Sequence, residues 1–275
     1  MWQRQQIGRE TMRKRIVTTS TRYVVKIVER SCYHRGLRMP IDLLAFGPHP
    51  DDIEIGLGAT VARHAAEGYA VGLIDLTAGE LSTNGTVDER RAEAAEATRV
   101  LGAAFRENLG WPDGGFTATP PFIRSAVDAM RKHRPRAIAI PYWSDRHPDH
   151  VRASEVLSTA AFTSGLRRYE TGAEPWRAEW VCYYFINDSA PPSFVVDVSA
   201  HYERKRAALA CYRSQFSTAA SGALATRLTS PTFRTLVESR DAQFGALAGV
   251  AFAEGVVVRE PIQRATLFKH GADGK

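Results

Sequence analysis

The chain has 275 residues, 44% of them hydrophobic and 24% charged, which excludes a globally disordered polypeptide and allows one large α/β core. The formal net charge of +6 sits at one end: residues 1–38 hold ten Lys/Arg against two Asp/Glu, while the rest holds 26 basic and 28 acidic residues. The body is therefore slightly acidic, and three scattered cysteines (Cys32, Cys182, Cys211) exclude a disulfide framework and point to a reducing cytoplasm.

Residues 1–38 lack the apolar core of a secretory signal, and no apolar run approaches the ~18 residues that span a bilayer. Their Arg-rich, acid-poor make-up is shared with organellar transit peptides and with flexible, partner-binding arms. The plainest expectation is a start at Met39, with 1–38 disordered or not native and 39–275 forming the functional domain. Ile41–Gly47 is a continuous apolar run, as expected of a parallel strand buried on both faces. A helix is expected over Gly56–Glu67, a strand over Tyr69–Leu76, a polar loop over Thr77–Thr86 and a helix over Val87–Leu101. There follow a short strand Phe105–Leu109, turns over Trp111–Thr119, a helix Phe122–His133, a strand Arg136–Pro141 and a helix Val151–Ser164. Beyond Gly165, Trp180–Ile186 and Ser193–Val198 read as strands and Ala200–Arg213 as a helix. Ser217–Ser230 reads as a loop, Thr232–Phe244 as a helix and Gly271–Lys275 as a frayed end. Strands alternating with helices imply an α/β fold: a Rossmann-like, mostly parallel sheet flanked by helices, with a smaller C-terminal part capping its crevice.

Two segments carry the chemistry. His49-Pro50-Asp51-Asp52 and His147-Pro148-Asp149-His150 each follow a buried strand, and such strand ends line the ligand crevice of an open α/β sheet. If the chain turns sharply at Pro50, His49 and Asp52 converge on one ion and His150 supplies a third ligand. Two imidazoles and one carboxylate suit zinc with an open position, and also Fe(II). Asp51 is then placed as general base for an attacking water. His147 is placed to donate to the oxyanion, with Asp149 fixing its tautomer and favouring the imidazolium. A single His-Pro-Asp is an ordinary helix-capping turn; two at apolar strand ends are harder to explain that way. His64, His133, His201 and His270 have no partner pattern and read as surface or structural, and His34 lies in the extension.

These segments, with Asp75–Thr86 (Asp-Leu-Thr-Ala-Gly-Glu-Leu-Ser-Thr-Asn-Gly-Thr), Phe194–Val198 and Tyr212-Arg213-Ser214-Gln215-Phe216, resemble the LmbE-like, or PIG-L, family of zinc-dependent N-acetylglucosaminyl deacetylases. The resemblance runs from about Ile41 to Glu260 and is strongest to the bacillithiol biosynthesis branch. It implies zinc on His49, Asp52 and His150, Asp51 as base, and removal of acetate from N-acetylglucosaminyl malate. It also implies a cytoplasmic homo-oligomer, with a hexamer as the specific expectation. Malate brings two carboxylates, for which Arg90 and Arg146 are the candidate partners. Ser82, Thr83 and Asn84 are candidates for the sugar hydroxyls. Polar loops and helix ion pairs explain these residues equally well without a ligand. The chain departs from many relatives in having no tyrosine after Tyr212, so either Thr232 substitutes in part or His147 serves the oxyanion alone. The nearest alternative is the same reaction on another GlcNAc conjugate: an inositol, a chitooligosaccharide or an antibiotic intermediate. A nucleic-acid-binding reading would rest on the basic arm, which has no recognisable binding motif. The expected partner is a small molecule, not nucleic acid or a membrane.

Overall fold

Strand β1, Leu43–Gly47, lies in the interior of a seven-stranded sheet, and its side chains serve two cores. Leu43 and Ala45 join one apolar cluster, Leu44 and Phe46 the other, as the two-residue strand period requires. The structure, a computed structural model, describes residues 41–218 and 223–263, so the readings of 1–38, His34, His270 and 271–275 lie outside the described residues.

Outward from β1 on one side run β2 (Val71–Thr77) and β3 (Phe105–Trp111); on the other run β4 (Ala137–Pro141) and β5 (Trp180–Tyr184), all parallel. The sheet continues through two antiparallel pairings: β7 (Ala253–Val257) runs against β5, and β6 (Phe194–Asp197) at the edge runs against β7. Seven strands in the order β3-β2-β1-β4-β5-β7-β6 make this the expected mostly parallel α/β fold. The chain winds outward from β1 to β3, then returns to β4 on the other side of β1. That reversal opens a crevice at the carboxyl ends of β1 and β4.

The crossovers are α1 (Asp52–Ala66), α2 (Val87–Leu101), α3 (Pro120–His133) and α4 (Pro148–Ser164). Helix α2 has the bounds its sequence suggests because Thr86 and Glu89 form a capping box and Gly102 closes the other end in the left-handed conformation. Two helices start three or four residues earlier than expected. Helix α4 begins at Pro148, which needs no N–H in a first turn, with His147 as its cap. Helix α1 begins at Asp52 instead of Gly56, so the motif's last residue is already helical.

The C-terminal part extends the sheet and also contributes residues to the crevice. The helix expected over Ala200–Arg213 is a 3-10 turn (Ser199–His201), then α5 (Tyr202–Cys211), a break at Tyr212 and the short α6 (Arg213–Phe216). Helix α7 (Pro231–Ala248) packs on β6 and β7. Sequence reading missed β7: Glu254 and Gly255 break its apolar character, although all five residues are buried. From this part, Gln215 and Thr226–Leu228 reach over the crevice.

Candidate active site

The loop after β1 is held from two sides. The Pro48 carbonyl accepts from the N–H (3.1 Å) and hydroxyl (3.0 Å) of Thr77 at the end of β2. The Pro50 carbonyl accepts from Nε (3.0 Å) and Nη2 (2.7 Å) of Arg90 on α2. Directly after these clamps the sharp turn falls on Asp51, not Pro50: Asp51 has φ 117°, a left-handed value costly for a side chain with a Cβ. The bend folds Asp52 back so that its Oδ2 lies 2.9 Å from the His49 backbone nitrogen and 3.0 Å from His49 Nδ1.

The second motif meets the first across the crevice. Asp52 Oδ1 lies 3.3 Å from His150 Nε2, and ligand atoms of His49, Asp52 and His150 all fall within 4.8 Å of one another. All three residues are buried. A second group, His49, His147 and Asp149, meets the same distance criterion but includes the exposed His147. The buried set of two imidazoles and one carboxylate is the better fit to a divalent metal, zinc or Fe(II), because its histidines are also oriented from behind. Asp145 Oδ1 lies 3.1 Å from His150 Nδ1, and Asp145 itself accepts from the N–H and Nδ2 of Asn187 at 2.9 and 3.0 Å. Asp113 Oδ1 lies 3.1 Å from His49 Nε2.

Charge follows from this crowding. Burial opposes a proton on His49, but hydrogen bonds to Asp113, Asp149 and Asp52 outweigh it and lift its pKa well above normal. Burial likewise opposes charge on His150, yet Asp52 and Asp145 push it up to about 9. Asp52 is held well below the usual carboxylate range: burial raises it, and His150 and His49 more than reverse that. Asp51 behaves in the opposite way. Burial raises its pKa to about 7, with Arg90 pulling down and Asp52 pushing up.

The remaining sequence candidates are distributed unevenly. Asp149 does not hydrogen-bond His147 through its carboxylate, as expected from sequence; that carboxylate accepts from Gly114 N–H and Arg152 (both 2.8 Å) and faces His49. Its backbone N–H instead donates to His147 Nδ1 at 3.2 Å, which leaves the ring proton on Nε2. The imidazolium expectation is also reversed: burial, His150 and His49 lower the pKa of His147. Arg90 is 5% exposed, with its donors directed at Pro50, the Asp51 carboxylate (2.9 Å) and the Ser82 hydroxyl. Asn84 is committed to the opposite wall: its side chain exchanges two hydrogen bonds with the Leu224 backbone (2.8 and 2.9 Å). Thr83 and Arg146 are exposed at the crevice. Thr232 does not line it and bonds Ser230 at 2.7 Å, so it does not stand in for a tyrosine.

Sequence reading assigned no role to Asp113, Asp145, Asn187 or Arg227. Asp145 lies two residues before His147, but nothing in the local pattern shows that it turns back to His150. The crevice has a volume of about 570 Å³, ample for a sugar conjugate.

The model of the family described as "PIG-L: GlcNAc-PI de-N-acetylase" matches residues 44–161, which span both motifs. A 1D-myo-inositol 2-acetamido-2-deoxy-alpha-D-glucopyranoside deacetylase of Saccharopolyspora erythraea is 30% identical over 67% of this chain and 87% of its own. The diacetylchitobiose deacetylase of Thermococcus kodakarensis is 28% identical over 78% and 81%. The crystal structure of a conserved protein from Thermus thermophilus superposes with a TM-score of 0.76 at 39% identity, covering 83% of this chain and 99% of that one. No helix among the described residues is long and apolar enough to cross a membrane. With the motif pair facing one crevice and these relatives covered over most of their length, the chain belongs to the PIG-L, or LmbE-like, family of N-acetylglucosaminyl deacetylases.

Proposed function

We propose that the protein is a metal-dependent hydrolase removing acetate from a GlcNAc conjugate with an anionic aglycone, N-acetylglucosaminyl malate in bacillithiol-type thiol synthesis being the specific substrate. The observation that carries the reaction class is the buried His49, Asp52 and His150 set beside the buried carboxylate of Asp51. A divalent metal on those three residues would supply Lewis acidity to a water and to an acetamide carbonyl. Asp51 takes a proton from the attacking water as its oxygen bonds to the carbonyl carbon. As the C–N bond breaks, Asp51 returns that proton to the leaving amine, and acetate and the free amine result. A base with a pKa near 7 is matched to both transfers. His147, neutral and protonated on Nε2, donates to the oxygen that gains charge. Arg90 orients Asp51 instead of meeting the substrate.

The crevice rim supports an anionic aglycone. Arg146 and Arg227 both line it, both are exposed, and neither has a carboxylate partner among the described residues. Arg227 stacks on Phe233 at 5.6 Å, which gives its guanidinium a platform. An inositol aglycone is the second reading, favoured by the Saccharopolyspora erythraea relative.

The test is amine release from GlcNAc-malate, GlcNAc-inositol, diacetylchitobiose and GlcNAc, with Asp51→Ala as the inactive control. The malate conjugate should be preferred. Arg146→Met and Arg227→Met should each raise its KM about 10-fold or more, the worth of a charge-assisted hydrogen bond, and leave neutral GlcNAc unchanged. Equal or faster turnover of the inositol conjugate would reject malate while leaving the deacetylation intact.

A further inference from the structure

Helix α1 exchanges hydrogen bonds along its backbone with buried charged side chains of other elements. Arg240 of α7 donates from Nη2 to the Ile55 carbonyl at 2.9 Å. Glu254 of β7 accepts from the N–H groups of Ala59 (3.1 Å) and Thr60 (2.7 Å). In an uninterrupted α-helix the Ile55 carbonyl and the Ala59 N–H would bond only each other; here each has a side-chain partner. Such charges are costly inside a protein unless matched. Lys205 of α5 matches them, with Nζ 2.6 Å from Asp241 and 2.7 Å from Glu254, and Arg240 Nε lies 3.0 Å from Asp241.

The same guanidinium also reaches the other side of the crevice. Its Nη1 donates to the carbonyls of Phe185 (3.1 Å) and Ile186 (2.8 Å). The next residue is Asn187, which holds Asp145, which in turn faces His150. One side chain therefore ties the helix that begins at Asp52 to the strand end that orients His150. Three carbonyls at fixed spacing need a planar fork, which an ammonium or an apolar side chain does not provide.

We infer that Arg240 is a positioning residue for the metal site, setting the separation of Asp52 and His150 through the backbones of α1 and the β5 end. The inference rests on the metal reading of His49, Asp52 and His150. Its test is zinc affinity, measured by dye competition on the stripped full-length protein, alongside kcat and KM. Wild type should bind zinc and Asp52→Ala should not. Arg240→Met should weaken zinc binding about 10–100-fold, the usual range for a lost supporting contact, and lower kcat with KM within about twofold. Arg240→Lys should fall between the two and decides the matter alone if Arg240→Met does not fold. Tyr202→Phe removes a 2.9 Å bond to Asp241 but no contact to α1, so it should keep zinc affinity within about twofold whatever its melting temperature. A folded Arg240→Lys with wild-type zinc affinity overturns the inference. So does Tyr202→Phe losing as much zinc affinity as Arg240→Lys at an equal drop in melting temperature. Absence of zinc binding by wild type would instead overturn the metal reading, and the inference with it.

Discussion

Asp51 concentrates the cost of this site in one residue. It occupies a left-handed backbone conformation, its carboxylate is buried, and it adjoins a second carboxylate, Asp52. Strain of this kind costs on the order of 1–3 kcal/mol and persists only where the surroundings over-determine it. Arg90 supplies that constraint with two bonds to the Pro50 carbonyl and one to Asp51. It also acts on the electrostatics of Asp51, the proposed base. Removing the cation by Arg90→Met disfavours the ionised carboxylate, so the pKa of Asp51 rises from about 7 and the acid limb of the kcat/KM profile moves to higher pH. A pH–rate profile checks this; an unmoved limb with reduced kcat would mean that Arg90 acts on the substrate. The sequence offered Arg90 as a partner for the carboxylates of a substrate or for a glutamate on its own helix, and the structure directs it to Pro50 and Asp51 instead. Its spacing from the motif says nothing about the direction of a long side chain.

Helix α1 carries both a candidate metal ligand, Asp52, and the contacts that support it. Its first eleven residues are all buried, among them the carboxylates of Asp52 and Glu54. Glu54 is paired with Arg106 (2.6 Å) and accepts from Tyr212 (3.0 Å), while Arg106 also grips Asp75 at 2.7 Å. Gly56 allows the helix to touch β5: a Cβ there would lie 2.3 Å from the Tyr184 ring and 2.4 Å from the Phe185 carbonyl. Further along, Lys205 is fully buried between two carboxylates. Lys205→Met leaves Glu254 without its cation and Asp241 with Arg240 alone, so unfolding in urea should show a loss of about 3–5 kcal/mol. A loss below about 1 kcal/mol would mean that the site takes up water or a proton instead.

At the scale of the molecule, the order of strands does what no motif does alone. The chain leaves β1 in one direction and returns at β4 in the other, so residues a hundred positions apart share one crevice. A ligand that binds only this assembled state raises stability by mass action: at a free concentration 100 times its Kd, by about 2.7 kcal/mol. Zinc added to stripped protein should therefore raise the melting temperature, and Asp52→Ala should abolish the rise. An equal rise in that variant would place the ion elsewhere.

The apolar runs at β1 and β4, and the His-Pro-Asp segments that end them, were enough to indicate a parallel sheet, a crevice and the residue types of a metal site. The reason is local: strands buried on both faces are written as continuous apolar runs, and the chemistry follows each run directly. Strand β7 was hidden because its buried Glu254 finds its partners, Lys205 and α1, in other elements. Asp113, Asn187 and Arg240 were hidden for the same reason, since each acquires its role from a partner in another element. Which side chains could meet a metal was present in the sequence; which ones hold them in place was decided by tertiary packing, because hydrogen-bond partners between distant segments leave no periodic trace in the chain.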